Sequence, residues 1–140
     1  MTSEHVPWLQ ALAAKDALAS TLGVEYVAGD IGQATVRMTV AAAHLNFNGT
    51  CHGGAIFTLA DTAFGLASNS HRQVAAAIDA HLSFNSAVRE GETLTATARE
   101  RSRGRTLATY TVEVTREDGR VVSVFTGTVF ITGSQHAGAD

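Results

Sequence analysis

From residue 53 to residue 70 the chain carries one charged side chain, Asp61, in a run whose apolar residues recur at helical spacing. Ile56, Leu59, Ala60, Ala63, Leu66 and Ala67 fall on one wide apolar face, while Gly54, Thr58, Asp61, Gly65 and Ser68 fall opposite. A surface helix normally sets a charged stripe against its apolar one. Small residues in place of that stripe predict a helix covered on both sides. The lone carboxylate on that face is a site candidate.

The rest of the pattern reads as one short helix and six strands. Trp8, Leu9, Leu12, Ala13 and Leu22 predict an amphipathic helix over 8–22, with Pro7 in its first turn and Gly23 as its C-terminal cap. Strands follow over 24–27 and 33–40, around a turn at Ala28-Gly29-Asp30. The second alternates Ala34, Val36, Met38 and Val40 against Thr35, Arg37 and Thr39. A loop over 41–50 leads into the long helix. Beyond it come strands over 74–84, 92–101, 105–116 and 120–132, the first with Ile78, Ala80, Leu82 and Phe84 facing one way. Turns are expected at Ser102-Arg103-Gly104 and, as a two-residue hairpin, at Asp118-Gly119. The order predicts an α+β domain over 1–133, a mostly antiparallel sheet around one central helix, and a disordered tail over 134–140. Its open strand edges and the small-residue side of the helix predict a homo-oligomer.

Composition narrows the function classes. The 140 residues suit one core, and 45% apolar with 16% charged content suits a folded globule. A net charge of −3 gives no reason to expect nucleic acid or a membrane surface as partner. One cysteine excludes an internal disulfide and fits a reducing compartment. With no signal-type apolar run near Glu4 and Asp16, and no stretch of about 20 apolar residues, a cytoplasmic location is expected. The six histidines form no zinc-type spacing, so no metal is expected.

The candidate chemistry lies around the start of the long helix. Gly53-Gly54 would leave the first helical N–H groups open at the positive end of the dipole, where an oxyanion fits. The same pair also makes a tight loop-to-helix turn. Asp61 is either a catalytic acid-base group or a carboxylate bonding its neighbours. It lies eight residues after Gly53, roughly 12 Å along a helix axis. One carbonyl cannot easily reach both within a chain, but two helices meeting across a dimer could serve it together. His52 either holds the loop or donates near the carbonyl, and Asn46 either turns the loop or orients a water. Cys51 beside His52 reads as a buried apolar residue, because neighbours in an extended segment point opposite ways. Thr62, Asn69 and Ser70 could line a pocket. Arg99, Arg101, Arg103 and Arg105 around a hairpin tip could meet phosphates or form a solvated end.

These residues also carry a resemblance. Asn46, Cys51-His52-Gly53-Gly54, Leu59-Ala60-Asp61-Thr62-Ala63-Phe64, Ala67-Ser68-Asn69-Ser70 and Gly91-Glu92-Thr93-Leu94-Thr95-Ala96 resemble the hotdog-fold acyl-CoA thioesterases. Within these they resemble the PaaI branch, named for phenylacetic-acid degradation. The resemblance implies a helix wrapped by a curled antiparallel sheet, with subunits pairing through their sheets into a dimer of dimers. It implies catalytic roles for Asp61 of a second subunit, Gly53, Asn46 and His52, and substrate contacts at Gly54, Thr62 and Asn69. It implies phenylacetyl-CoA and its ring-hydroxylated relatives as substrates, and no cofactor. Relatives often carry Arg-Pro after the strand phenylalanine where this chain has Phe84-Asn85-Ser86-Ala87, leaving Arg89 as a nearby candidate for a phosphate contact. Two other readings share the fold: an enoyl-thioester hydratase and a non-catalytic acyl-CoA-binding domain.

Overall fold

The computed structural model describes residues 2–137 and contains one sheet with a long helix across it. Chain order is α1 (Thr2–Ala13), α2 (Ala17–Thr21), β1 (Glu25–Asp30), β2 (Gln33–Thr39), α3 (Gly53–Asn69), β3 (Gln73–Phe84), β4 (Thr93–Arg103), β5 (Leu107–Thr115) and β6 (Val121–Gln135). Among the described residues the strands lie in the order β1-β2-β4-β5-β6-β3, with every pairing antiparallel. The expected α+β arrangement around a central helix is therefore present.

The core forms where α3 lies on the sheet. The inward row of β2, Ala34, Val36, Met38 and Val40, is buried, while Arg37 and Thr39 are exposed. The predicted apolar face of α3 is buried in full, from Ile56 to Ala67. Phe64 packs among Tyr110 and Phe125, with ring centroids 5.8 and 5.1 Å away. Gly127 of β6 makes room for that ring, since a Cβ there would sit 2.7 Å from Phe64 Cζ. Ser70, fully buried past the end of α3, accepts from Gly32 N–H at 2.7 Å and donates to Ala67 C=O. It thereby fixes the β1–β2 turn to the helix.

Several expectations are corrected. The helix over 8–22 is two helices, the first beginning at Thr2 rather than near Pro7. Lys15 and Asp16 bond back three residues in a tightened turn, and the Asp16 carboxylate then caps α2 through Ala19 N–H at 3.0 Å. The turn expected at Ala28-Gly29-Asp30 is part of β1, which absorbs an extra residue between Tyr26 and Ala28. The chain reverses at Ile31-Gly32 instead, with Gly32 at φ +75° and Asp30 Oδ1 accepting from Ile31 N–H. Likewise β4 runs on to Arg103, so the reversal before β5 lies at Gly104–Thr106. The hairpin at Asp118-Gly119 is a three-residue loop bracketed by Arg116 and Arg120, with Gly119 at φ +88°. β6 continues to Gln135, and His136 bonds Arg72 and Asn69, where a tail was expected. Residues 138–140 of that tail lie outside the described residues.

β3 forms one outer edge of the sheet. It runs for 12 residues, and the positions from Ala76 to His81 are exposed. Ile78, expected to face the same way as Ala80, Leu82 and Phe84, is the extra residue of a bulge between Ala77 and Asp79. It points an aliphatic side chain at solvent and is 59% exposed. No helix among the described residues is long and apolar enough to cross a membrane.

Candidate active site

The loop before α3 is built by its own polar side chains. Asn46 Oδ1 accepts from the N–H groups of Asn48 (2.9 Å) and Thr50 (3.2 Å), and Asn46 N–H donates to Thr50 C=O. A turn held this way presents its tip outward, so Phe47 is almost fully exposed. Leu45 and Cys51 close the loop as an isolated bridge. Cys51 is buried, which pushes its thiol up to about 11, so it stays protonated as an inert apolar residue.

His52 caps α3. Its Nδ1 accepts from Gly54 N–H at 2.8 Å, so the neutral ring carries its proton on Nε2. The first-turn N–H groups are thus divided. Gly54 spends its own on His52, whereas Gly53 N–H makes no hydrogen bond among the described residues. Gly53 lies in the wall of a cavity of about 340 Å³, with Asn46, Ile56, Phe84 and Asn85. The Phe84 ring sits against Gly53, where a Cβ would come 3.0 Å from Cζ. An open N–H at a helix N-terminus, in a concave wall, can receive a carbonyl oxygen on which negative charge develops.

Asp61 lines a different cavity of about 490 Å³, further along the same helix. Thr62, Asn69, Leu12, Lys15, Asp16 and His136 also line it, over a floor that includes Leu66, Ala75 and Val129. By area Asp61 is solvent-exposed, yet the packing around its carboxylate desolvates it in part. That desolvation, then the negative charge of Asp16, raises its pKa above the usual carboxylate value. The carboxylate makes no hydrogen bond or ion pair among the described residues, so a partner-bonding role is not seen within the chain.

The other candidates fall into place as structural members or as wall. Asn69 uses both ends of its amide: Oδ1 accepts from Ala75 N–H (2.9 Å) and His136 Nε2 (2.7 Å), and Nδ2 donates to Gly65 C=O (2.8 Å). It pins the end of α3 to the start of β3. Thr62 donates to Thr58 C=O at 2.7 Å and is nearly buried. The Arg89 side chain is exposed, and its backbone N–H donates to Glu92. The hairpin arginines part company at a bulge between Glu100 and Ser102. Arg101 then bonds Thr111 at 2.7 Å, and Arg103 turns in to bond Gln73 at 2.9 Å. Among the described residues no three His, Cys, Asp or Glu side chains cluster closely enough to hold a metal ion.

Sequence reasoning missed two residues. Asp16 stands at a helix break that the run Lys15-Asp16-Ala17-Leu18 signals, since Asp before a helical stretch is a favoured cap. Phe84 reached the Gly53 wall through the curl of β3, for which no local signal exists.

The sequence model of the thioesterase superfamily matches residues 48–123. A Deinococcus radiodurans protein described as a candidate esterase is 48% identical over 112 residues, 79% of this chain and 76% of that protein. The acyl-coenzyme A thioesterase PaaI of Escherichia coli K12 is 40% identical over 125 residues, 88% of this chain and 89% of that protein. The solved structure of E. coli PaaI superposes with a TM-score of 0.90, covering 96% of this chain and 99% of that one. A thioesterase structure with coenzyme A from Streptococcus pneumoniae superposes at 0.83, with 28% identity over 91% of this chain and 99% of that one. With this topology and that match, the chain belongs to the thioesterase superfamily and is a hotdog-fold thioester hydrolase.

Proposed function

We propose that the chain hydrolyses acyl-CoA thioesters at sites shared between two subunits, with Gly53 of one and Asp61 of the other facing one carbonyl. The observation that carries this reading is the division of α3. Its unbonded N-terminal N–H and its single acid line two separate cavities, roughly 12 Å apart along the helix. Neither cavity alone holds both an oxyanion donor and a base. A second copy, brought against the exposed edge of β3, supplies the missing half of each. The similarity to E. coli PaaI and to the coenzyme A complex supports CoA as the thiol.

In this site, Gly53 N–H polarises the thioester carbonyl. Asp61 accepts a proton from a water as its oxygen attacks the carbonyl carbon, or attacks that carbon itself. In the second course the CoA thiolate leaves first, and the resulting anhydride is then cleaved by water, which releases the acid and restores Asp61. In the first the tetrahedral oxyanion re-forms its carbonyl to give the carboxylic acid. The carbon–sulfur bond breaks, and the thiolate of CoA leaves and takes up a proton. Asn46 spends one Nδ2 proton on Thr50 Oγ1 at 3.2 Å; in this reading the other, on the Gly53 wall, holds the water or carbonyl. His52 and Gly54 contribute by fixing the turn, and Thr62 and Asn69 shape the wall beside Asp61. The proposed acyl groups are phenylacetyl and its ring-hydroxylated relatives, in the breakdown of phenylacetate, with Arg89 near the nucleotide. Dimers pairing into tetramers in the cytoplasm complete the proposal. An enoyl hydratase would pair a histidine with the acid. Here His52 is spent as a cap, and His136, in the Asp61 cavity, donates through Nε2 to Asn69 Oδ1.

The test is complementation. Asp61→Ala lowers turnover of phenylacetyl-CoA by about 10²–10⁴-fold, the scale of a lost general base. Gly53→Ala impairs the other half-site. Co-expression of the two variants restores activity, because each mixed dimer rebuilds one complete site. Mixed dimers with no more activity than either parent would exclude the shared site, and near-normal turnover by Asp61→Ala would exclude Asp61 itself.

A further inference from the structure

We infer that Asp16 is a positioning residue for Asp61: a second carboxylate, locked in place by the break between α1 and α2, whose charge makes Asp61 a stronger proton acceptor. This rests on the reading of Asp61 as the reacting base.

Three features of the structure lead to it. First, Asp16 and Asp61 line the same cavity, although one belongs to the N-terminal elbow and the other to α3. Second, Asp16 is held where it is. Its Oδ1 caps α2 through Ala19 N–H at 3.0 Å, and its C=O accepts from Ser20 N–H, also at 3.0 Å. The side chain is exposed, but one bond holds its carboxylate to the first turn of α2 and a second holds the backbone beneath it. Third, it forms no ion pair among the described residues.

The other charged or titratable groups around this cavity are few. The elbow contributes Lys15 as well as Asp16, and the segment after β6 contributes His136. The lining residues from β3 and β6, Val74, Ala75, Ala77 and Val129, carry no charge. Burial and then the Lys15 ammonium lower the His136 pKa, which favours its neutral ring. Among the lining residues Lys15 is the one Lys or Arg, and Asp16 is the one carboxylate besides Asp61. Partial desolvation alone already favours the protonated form of Asp61, and the nearby like charge adds to it. A base with a higher pKa takes a proton more readily once ionised, but is ionised only at higher pH. Asp16 therefore trades activity on the acid side for rate on the plateau. The same negative wall also disfavours retention of the acid product as a carboxylate.

The test separates charge from capping. Asn caps as well as Asp, so Asp16→Asn removes the charge and keeps the bond to Ala19 N–H, whereas Asp16→Ala removes both. Profiles of kcat and kcat/KM against pH are measured with phenylacetyl-CoA for these variants and for Asp61→Asn, alongside thermal unfolding. In Asp16→Asn the acidic limb moves to lower pH and the plateau kcat falls, so its profile crosses that of the unchanged protein. Its melting temperature stays near the parent value. Asp16→Ala shows the same shift with a lower melting temperature. A profile of Asp16→Asn that superimposes on the parent, with Asp61→Asn inactive, overturns the inference and leaves the proposed function standing. A shift in Asp16→Ala alone assigns Asp16 to folding and also overturns it. Normal turnover by Asp61→Asn removes both together.

Discussion

The ring of Phe84, the last residue of β3, lies against the Cα of Gly53, the first residue of α3; a methyl group added there would meet its Cζ at 3.0 Å. Phe84 is more than half exposed, so its ring can yield. Gly53→Ala is therefore expected to fold normally while crowding the open N–H beside it. The loss in kcat should reach about 10²-fold, the scale of one disabled oxyanion donor. Adding Phe84→Ala should recover part of it, as measured by steady-state thiol release.

Gly127 has the same crowding with the opposite outcome. A Cβ there meets Phe64 Cζ at 2.7 Å and Phe125 Cε1 at 2.9 Å, and both rings are buried in the core. Neither can leave without opening a cavity. Gly127→Ala is expected to destabilise the fold by about 1–3 kcal/mol, the usual range for overpacking. Urea unfolding of the variant measures this directly.

His52 can be tested as a cap apart from any chemistry. Removing Nδ1 leaves Gly54 N–H without its partner at 2.8 Å. His52→Ala should lower stability by about 1 kcal/mol, whereas His52→Asn, which can cap, should lose much less. If both variants unfold alike, the bond to Gly54 does not stabilise the helix.

Glu92 gives the fold an acid-sensitive tie. Arg116 reaches it through two bonds, Nε at 2.9 Å and Nη2 at 3.2 Å, and Arg89 N–H adds a third at 2.7 Å. The hydrogen bond from Arg116, first, and that from the Arg89 backbone lower its pKa below the usual carboxylate range. A depressed folded-state value means stability that is present above the unfolded pKa and lost as pH falls through the folded one. Glu92→Gln should cost about 0.5–1 kcal/mol at neutral pH, as for a partly exposed ion pair. The gap to the unchanged protein should close on acidification, as followed by thermal unfolding across pH.

What was legible in the sequence is what local pattern decides. The period-two row of β2 and the 3.6-period face of α3 predicted their buried sides residue by residue, because each element meets the core on one continuous face. The family string around Gly53 and Asp61 marked the superfamily. The bulges at β1, β3 and β4 were not legible, since two residues opposing one is fixed by the register against a partner strand and not by the bulged sequence alone. The duties of Gly54 and Asn69 were hidden for a similar reason. Gly54 N–H is taken by the residue two before it, and the Asn69 amide by groups as distant as His136.

The place of β3 in the sheet has a consequence for how the molecule is made. Synthesised directly after α3, this strand finds no partner in anything that precedes it, because it pairs with β6 alone. During translation α3 can settle on β2, already made, but β3 must wait unpaired until β6 has left the ribosome. Contacts so distant along the chain form late and slowly. A nascent chain stalled before Val121 would present an unpaired strand twelve residues long, the kind of intermediate that chaperones bind and aggregates recruit.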